Sequence, residues 1–197
     1  RGLYSADTMK LKVQSSKDWL RCVLADFETF LQDHAANERK ASSMAMSMVT
    51  HYPDRTQLTR AMIDLALEEL NHFRQVYRLI EARGSSLTAD VKDHYVNALR
   101  QHLRKTSQDY FLDRLLSAAV IEARGAERFE MIGNALDDAK LANFYQSLAR
   151  SESQHHQLFL DLALTYFDPS EVETRLEFWL TEEAAVLAAL PIRPRLH

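Results

Sequence analysis

The sequence predicts an all-α fold, and three observations carry that reading. Gly and Pro occur only four times each in 197 residues, so long stretches contain no helix breaker. Ala, Leu, Glu, Arg and Gln are abundant, which favours helix. Apolar residues then recur at three- and four-residue intervals over four segments of roughly 30 residues each.

Residues 1–17 read as a loosely ordered lead-in, after which Asp18 can cap a helix starting at Trp19. Apolar and small residues at 20, 24, 27, 31, 35, 41, 45 and 48 form its stripe, which stops at "HYPD", where Pro53 forbids continuation. A second helix is expected over about 55–83, with Leu58, Met62, Leu65, Glu69, His72, Val76 and Leu79 facing inward and Gly84 just past its end. Thr88 can cap a shorter helix reaching about residue 104. A third long helix starts near Gln108, with Phe111, Leu115, Ala118, Glu122, Gly125, Phe129, Ile132 and Leu136 inward. Asp137 or Asp138 can cap the fourth, which runs to about 166 and turns Leu141, Tyr145, Leu148, Glu152, His155, Phe159 and Leu162 inward. "FDPS" ends it. A last amphipathic helix covers about 170–190, and "LPIRPRLH" is a tail. No linker or low-complexity segment interrupts this pattern, so residues 1–197 read as a single domain.

Composition narrows the classes. Charged residues make up 26% and hydrophobic ones 46%, an ordinary balance for a water-soluble globular chain. A net charge of −4 is not that of a protein that coats nucleic acid, although it leaves room for a local basic patch. The single Cys22 excludes an internal disulfide, fits a reducing compartment such as the cytoplasm, and reads as a buried small apolar residue. No run of 18 apolar residues is present, so no membrane span is expected, and no signal peptide is visible. The chain opens on Arg-Gly rather than Met, which leaves its native start open.

Each long helix carries an acid inside its apolar stripe: Glu38, Glu69, Glu122 and Glu152. A buried carboxylate is costly unless it is paired or binds metal, and four of them, one per helix, ask for a common cause. Two are followed three residues later by histidine, as Glu69-x-x-His72 and Glu152-x-x-His155, which puts both side chains on nearly the same helix face. One such step means little in a chain with 14 Glu and 8 His. The repeat means more. Glu38 precedes Glu69 by 31 residues and Glu122 precedes Glu152 by 30. The chain therefore reads as two helix hairpins, each giving a lone Glu and then a Glu-x-x-His step, joined by a long crossover over about 84–107.

That arrangement matches a ferritin-like four-helix bundle with a long helical crossover and an extra C-terminal helix. Its six residues match the ligand set of di-iron and di-manganese carboxylate proteins. Four carboxylates also balance two divalent cations. The alternative is a metal-free bundle in which Arg39, Arg74, Arg124 or Arg150 neutralise the acids, but each lies one or two positions from the nearest of the six residues and points elsewhere on the helix. His34, His51, His94, His102 and His156 lack the pattern and read as surface or capping residues. Glu127 and Glu130 match the face of Glu122 poorly. Without metal, clustered carboxylates should repel one another, so raised carboxylate pKa values are expected. A radical-generating site would want Tyr four residues after His72, and that position is Val76.

Small residues flank the acids: Ala35, Ala41 and Ser42 around Glu38, and Ala118, Gly125 and Ala126 around Glu122. They leave room for an organic substrate, or for close helix packing. Taken with these, "NERKAS", "EELNHF", "IEARGAERF" and "SESQHHQLF" resemble the tRNA 2-methylthio-N(6)-isopentenyladenosine hydroxylases over nearly the whole chain. The resemblance implies a cytoplasmic, non-haem di-iron monooxygenase acting on the isopentenyl group of a modified adenosine beside the tRNA anticodon. It implies O2 as co-substrate, two electrons from a reductase, and two iron ions held by Glu38, Glu69, His72, Glu122, Glu152 and His155. A monomer and a dimer are equally compatible with it. For tRNA contact, "ALRQHLRK" offers Arg100, Arg104 and Lys105, and the tail offers Arg193 and Arg195. The competing class is a ferritin-like iron-storage or peroxide-scavenging protein.

Overall fold

The computed structural model describes residues 10–197, and all regular secondary structure among them is helical. In chain order the helices are α1 Lys17–Ala25, α2 Phe27–His51, α3 Thr56–Ala82, α4 His94–Arg100, α5 Ser107–Ala135, α6 Ala139–Tyr166 and α7 Pro169–Ala189. Part of the expected lead-in, residues 1–9, lies outside the described residues. Where the sequence reads as one domain, the contacts divide the chain into two compact units. One holds residues up to Leu20, Asp93–Pro191 and His197; the other holds Arg21–Lys92 and Ile192–Leu196. Among the described residues, no helix is long and apolar enough to cross a membrane.

The second of these units is the α2–α3 hairpin. The expected single first helix is broken at Asp26, which leaves helical geometry (φ −137°, ψ 65°) and accepts a hydrogen bond from the Thr29 amide. Its side chain caps α2, a role an acid fills well. The break re-aims the stripe: Leu24, expected inward, is 38% exposed, whereas Val23 is buried. Cys22 is half-buried rather than buried. Phe30, Leu31, Ala35, Ala45 and Met48 of α2 and Leu58, Met62, Leu65, Val76 and Ile80 of α3 are all buried. Each large side chain among them contributes about 1.5–3 kcal/mol relative to exposure. Ser42 Oγ donates to the Ala66 carbonyl at 2.8 Å, tying the two helices together beside Glu38. α3 ends as expected. Gly84 adopts φ +74°, its amide bonds the Glu81 carbonyl, and the Ser85 amide bonds the Ile80 carbonyl. This double closure needs a left-handed residue. The crossover is less helical than expected, because the amide of Thr88 bonds Gln32 Oε1 at 3.1 Å instead of starting a helix. Asp93 caps α4 in its place, accepting from the Val96 amide at 2.9 Å.

The other unit is built on the α5–α6 hairpin, with α7 packed on α5. Asp138 caps α6 by accepting from the amides of Lys140 and Leu141. Gly133 is where the two helices crowd: a Cβ there would lie 2.8 Å from Gln146 Cγ and 3.0 Å from Gln146 N. At Gly125, the glycine singled out from sequence, a Cβ would meet only Glu152 Cγ at an ordinary 3.8 Å. Two buried polar knots hold α7. Asp113, buried on α5, accepts from Arg175 Nε at 2.6 Å, Trp179 Nε1 at 3.3 Å and the Arg104 amide at 2.8 Å. Burial pushes its pKa up, but Arg175 and Arg104 outweigh burial and hold it below the usual carboxylate range. In the second knot Arg124 Nε donates to Glu183 Oε1 at 2.7 Å and Tyr95 OH donates to the same oxygen at 2.9 Å. Arg124 also reaches the N-terminal segment, donating to the Val13 carbonyl at 2.7 Å.

Candidate metal centre

Each hairpin gathers its own triad. In α2–α3, ligand-type atoms of Glu38, Glu69 and His72 lie within 4.8 Å of one another, and in α5–α6 those of Glu122, Glu152 and His155 do the same. All six residues are buried, none above 8% exposure. Their local geometry repeats. His72 Nδ1 lies 3.2 Å from Glu69 Oε2, and His155 Nδ1 lies 3.4 Å from Glu152 Oε2, as the three-residue step on one helix face dictates. His72 Nδ1 also faces Glu38 Oε2 at 3.7 Å, while its Nε2 faces Glu68 at 3.9 Å. One ring edge thus addresses the triad and the other an outward carboxylate, a pairing that orients ligating imidazoles.

Three of the four arginines take other partners. Arg39 pairs with Asp90, Arg74 bonds Asn71, and Arg124 pairs with Glu183 and with Glu127 at 2.6 Å. Glu127 also accepts from the Ser15 amide at 2.5 Å and its hydroxyl at 2.7 Å, and Glu130 is exposed. Neither joins the triad of Glu122.

The electrostatics of the α2–α3 triad differ from expectation. Burial pushes the Glu38 carboxyl up, yet hydrogen bonds from His34 and His72 hold it far below the usual range. Burial disfavours a charged His72, but Glu38 and Glu69 raise it to about 10. His72 thus supplies, within this triad, positive charge that the sequence pattern assigned to metal alone.

His34 is the residue the sequence reading missed. It is fully buried, and its Nε2 donates to Glu38 Oε1 at 2.6 Å, with the Phe30 ring 5.7 Å away. The signal was present as a His four residues before a ligand-type Glu, the other spacing that shares a helix face. His156 also departs from a surface role: it is half-buried beside its helix, and burial pushes its pKa down.

The cations suggested for nucleic-acid contact divide. Arg104 is half-buried, bonded to Asp113 and 2.8 Å from Asp109, so its guanidinium serves the fold. Arg100 and Lys105 are exposed. Arg195 donates to the Lys92 carbonyl at 3.1 Å.

The donor set fits a divalent transition metal, since each triad offers two carboxylates and one imidazole, the ligands that suit iron and manganese. A family model described as tRNA-(MS[2]IO[6]A)-hydroxylase (MiaE) matches residues 4–197. A tRNA 2-(methylsulfanyl)-N(6)-isopentenyladenosine(37) hydroxylase of Pseudomonas putida is 36% identical over 179 residues, covering 91% of this chain and 87% of that protein. A protein of the same name from Salmonella typhimurium is 30% identical over 190 residues, covering 93% and 69%. A solved structure, Protein 43 with aldehyde deformylating oxygenase activity from Synechococcus, matches with a TM-score of 0.90 and 34% identity, over 95% of this chain and 94% of that one. The fold is ferritin-like.

Proposed function

Because this chain belongs to the tRNA-(MS[2]IO[6]A)-hydroxylase family, we propose that it hydroxylates the isopentenyl group of 2-methylthio-N(6)-isopentenyladenosine beside the anticodon of tRNA. The observation that carries the reading is the pair of buried triads, each a Glu plus a Glu-x-x-His step, in a chain of this family. Its two units work as one domain.

Glu38, Glu69, His72, Glu122, Glu152 and His155 hold two iron ions, whose charge the four carboxylates balance. When bound, the iron pair supplies the activation of O2 that a C–H bond requires. One oxygen atom enters the C–H bond to give the alcohol. The other leaves as water, using two protons and two electrons from a reductase. The protein's own part is to orient and to shield. His34 donates to Glu38 and fixes the direction of that carboxylate. Glu68 faces the second nitrogen of His72, setting the ring so that Nδ1 points to the carboxylates. Burial of all six ligand side chains keeps bulk water from the reacting atoms. Arg100 and Lys105 contact tRNA phosphates, with Arg104 bracing the segment between them. The reaction takes place in the cytoplasm, where tRNA is found.

Nucleoside mass analysis of tRNA from cells with and without the gene tests the reading. The hydroxylated nucleoside should vanish without the gene and return with purified, iron-loaded protein, reductase and O2. The activity named for the Synechococcus relative favours a second reading, an oxygenase of aldehydes. The same purified protein, given a long-chain aldehyde in place of tRNA, separates the two.

A further inference from the structure

The outer face of α3 carries an apolar stripe, on the same helix that holds two of the proposed ligands. Ile63, Leu67 and Leu70 are 42%, 63% and 50% exposed. Their spacing of four and three residues puts all of them on one face. A single exposed leucine is ordinary, but a row of three is the kind of contiguous apolar patch that marks an interaction surface. At about 100° per residue, Arg74 lies on the same line, and Arg60 and Arg78 border it about 60° round from Ile63. All three arginines are exposed. Arg74 bonds the neutral Asn71, and Arg60 and Arg78 have no carboxylate partner among the described residues. The nearest acids are Glu81, in the last turn of the helix, and Asp64, about 100° round from Ile63. Glu68 turns further away, toward His72. The face is therefore apolar at its centre and net positive at its rim.

We propose that this face docks an acidic electron-transfer protein, the source of the two electrons that hydroxylation consumes. The inference rests on the tRNA hydroxylase reading and names where its electron donor binds. Leu67 lies two residues before Glu69, and Leu70 directly follows it, so the stripe is level with the Glu69–His72 step. Only the thickness of α3, about 10–12 Å, separates the two. Electrons, unlike a substrate, need no open channel to the reacting site. They cross packed protein, here by way of the peptide that joins Leu70 to Glu69. Each one-electron carrier docks, gives up one electron and leaves. Two carriers are oxidised for each C–H bond converted to C–OH, with one O2 and two protons consumed and one water released.

The chemistry of the face selects this occupant. An apolar centre with arginines around it is the anatomy of a protein interface. Single-stranded nucleic acid asks for aromatic stacking groups among its cations, and the most exposed side chains of the stripe are aliphatic. A second copy fits poorly. Arg60 and Arg74 each lie seven residues from Leu67, so antiparallel two-fold pairing about Leu67 sets Arg60 of one copy against Arg74 of the other, a like-charge opposition that is costly. A carrier with carboxylates around its exposed redox centre meets the same arginines as complements.

The test uses full-length, iron-loaded protein, a purified acidic two-iron, two-sulfur ferredoxin as the probe, and reduced methyl viologen as a small reductant that needs no docking surface. Leu67→Ser/Leu70→Ser and Arg60→Gln/Arg74→Gln/Arg78→Gln alter the face at exposed positions, and both variants should keep the parent's iron content. Affinity for the ferredoxin, read by titration, should fall about tenfold or more in each, and the arginine variant should also lose salt dependence. Ferredoxin-driven hydroxylation should show a raised KM for ferredoxin. Viologen-driven hydroxylation and affinity for an anticodon stem-loop RNA should match the parent. The proposal is overturned if the parent does not bind the ferredoxin, if both variants bind it like the parent, or if they lose viologen-driven turnover to the same extent. Lost RNA affinity with ferredoxin binding intact assigns the face to tRNA, and a parent dimer that Leu67→Ser/Leu70→Ser splits assigns it to a second copy; either result also overturns the proposal. If the parent with viologen yields no hydroxylated product, the hydroxylase reading fails instead, and the ferredoxin titration still decides the docking face on its own.

Discussion

Replacing Glu183 by Gln removes one charge from the buried knot that joins α5 to α7. Arg124 and Glu183 are both fully buried, joined by bonds of 2.7 Å and 3.0 Å. Burial works against the Arg124 charge and Glu183 opposes burial; without the Glu183 charge, Glu127 still faces the guanidinium, which keeps its proton in proteins and so stays charged in the variant. Losing one partner of a buried pair costs about 3–5 kcal/mol, because the other charge is left uncompensated. Glu127 still lies 2.6 Å from Arg124, which places the loss near the lower end, at about 3 kcal/mol. For a chain of this length, each kcal/mol shifts Tm by about 2–4 °C, so the variant should melt about 6–12 °C lower. Thermal unfolding of the metal-loaded protein at pH 7 measures this. The double variant Arg124→Met/Glu183→Leu removes both charges and should be more stable than Glu183→Gln alone. A single variant that melts within about 2 °C of the parent refutes the reasoning, as does a double variant that loses the sum of both single losses.

Anaerobic iron loading should give two ions per chain, and Glu122→Ala should lower that number; a stoichiometry near zero in the parent ends the metal reading. His34→Leu should weaken metal binding about 10- to 100-fold, read by competition with a chelator, while His34→Gln, which can still donate to Glu38, should lose less. Metal-free stability should fall as pH rises from 6.5 toward 10. The pKa of His72 is raised from 6.5 to about 10 in the folded state, so its contribution is complete below 6.5 and lost through that window. Glu38, held low, contributes above its ordinary 4.5 and loses that only in acid. Melts of parent and His72→Gln at pH 6.5 and 9.5 decide this, and equal pH dependence in the two sinks it. His155→Ala should abolish hydroxylation and keep tRNA affinity, whereas Arg100→Ala/Lys105→Ala should lower affinity and flatten its salt dependence, since fewer counterions are released.

The sequence carried the long helices and the six triad residues for one reason. A charged side chain inside an apolar stripe is an anomaly visible without coordinates, and it occurred four times at a repeated spacing. Features set by which partner a side chain takes stayed hidden. The break at Asp26 depends on a side chain that chooses capping over helix continuation, and an acid within a helical stretch fits either outcome. Thr88 had the residue type of a cap but was taken by Gln32, 56 positions away. Arg104 had the charge of a phosphate contact but faces Asp109 and Asp113. Gly125 drew notice because it lies near Glu122, yet the helices crowd at Gly133. At Glu38 the carboxyl is held low against burial rather than raised, because two imidazoles, His34 and His72, face it.

The grip of α5 on the N-terminal segment sets a practical boundary for anyone cutting or tagging this chain. Arg124 holds the Val13 carbonyl, Glu127 holds the Ser15 amide, and Arg128 Nε bonds Ser15 Oγ at 2.8 Å while stacking 4.3 Å over the Trp19 ring. A shortened version beginning at Ser16 would look harmless, since it spares every helix. It would nonetheless strip partners from two arginines and one glutamate at once, and remove Lys10, Leu11 and Gln14 from the wall of a 670 Å³ cavity. Expression trials should therefore begin before residue 10, and a fusion partner belongs on a spacer long enough to exert no pull there.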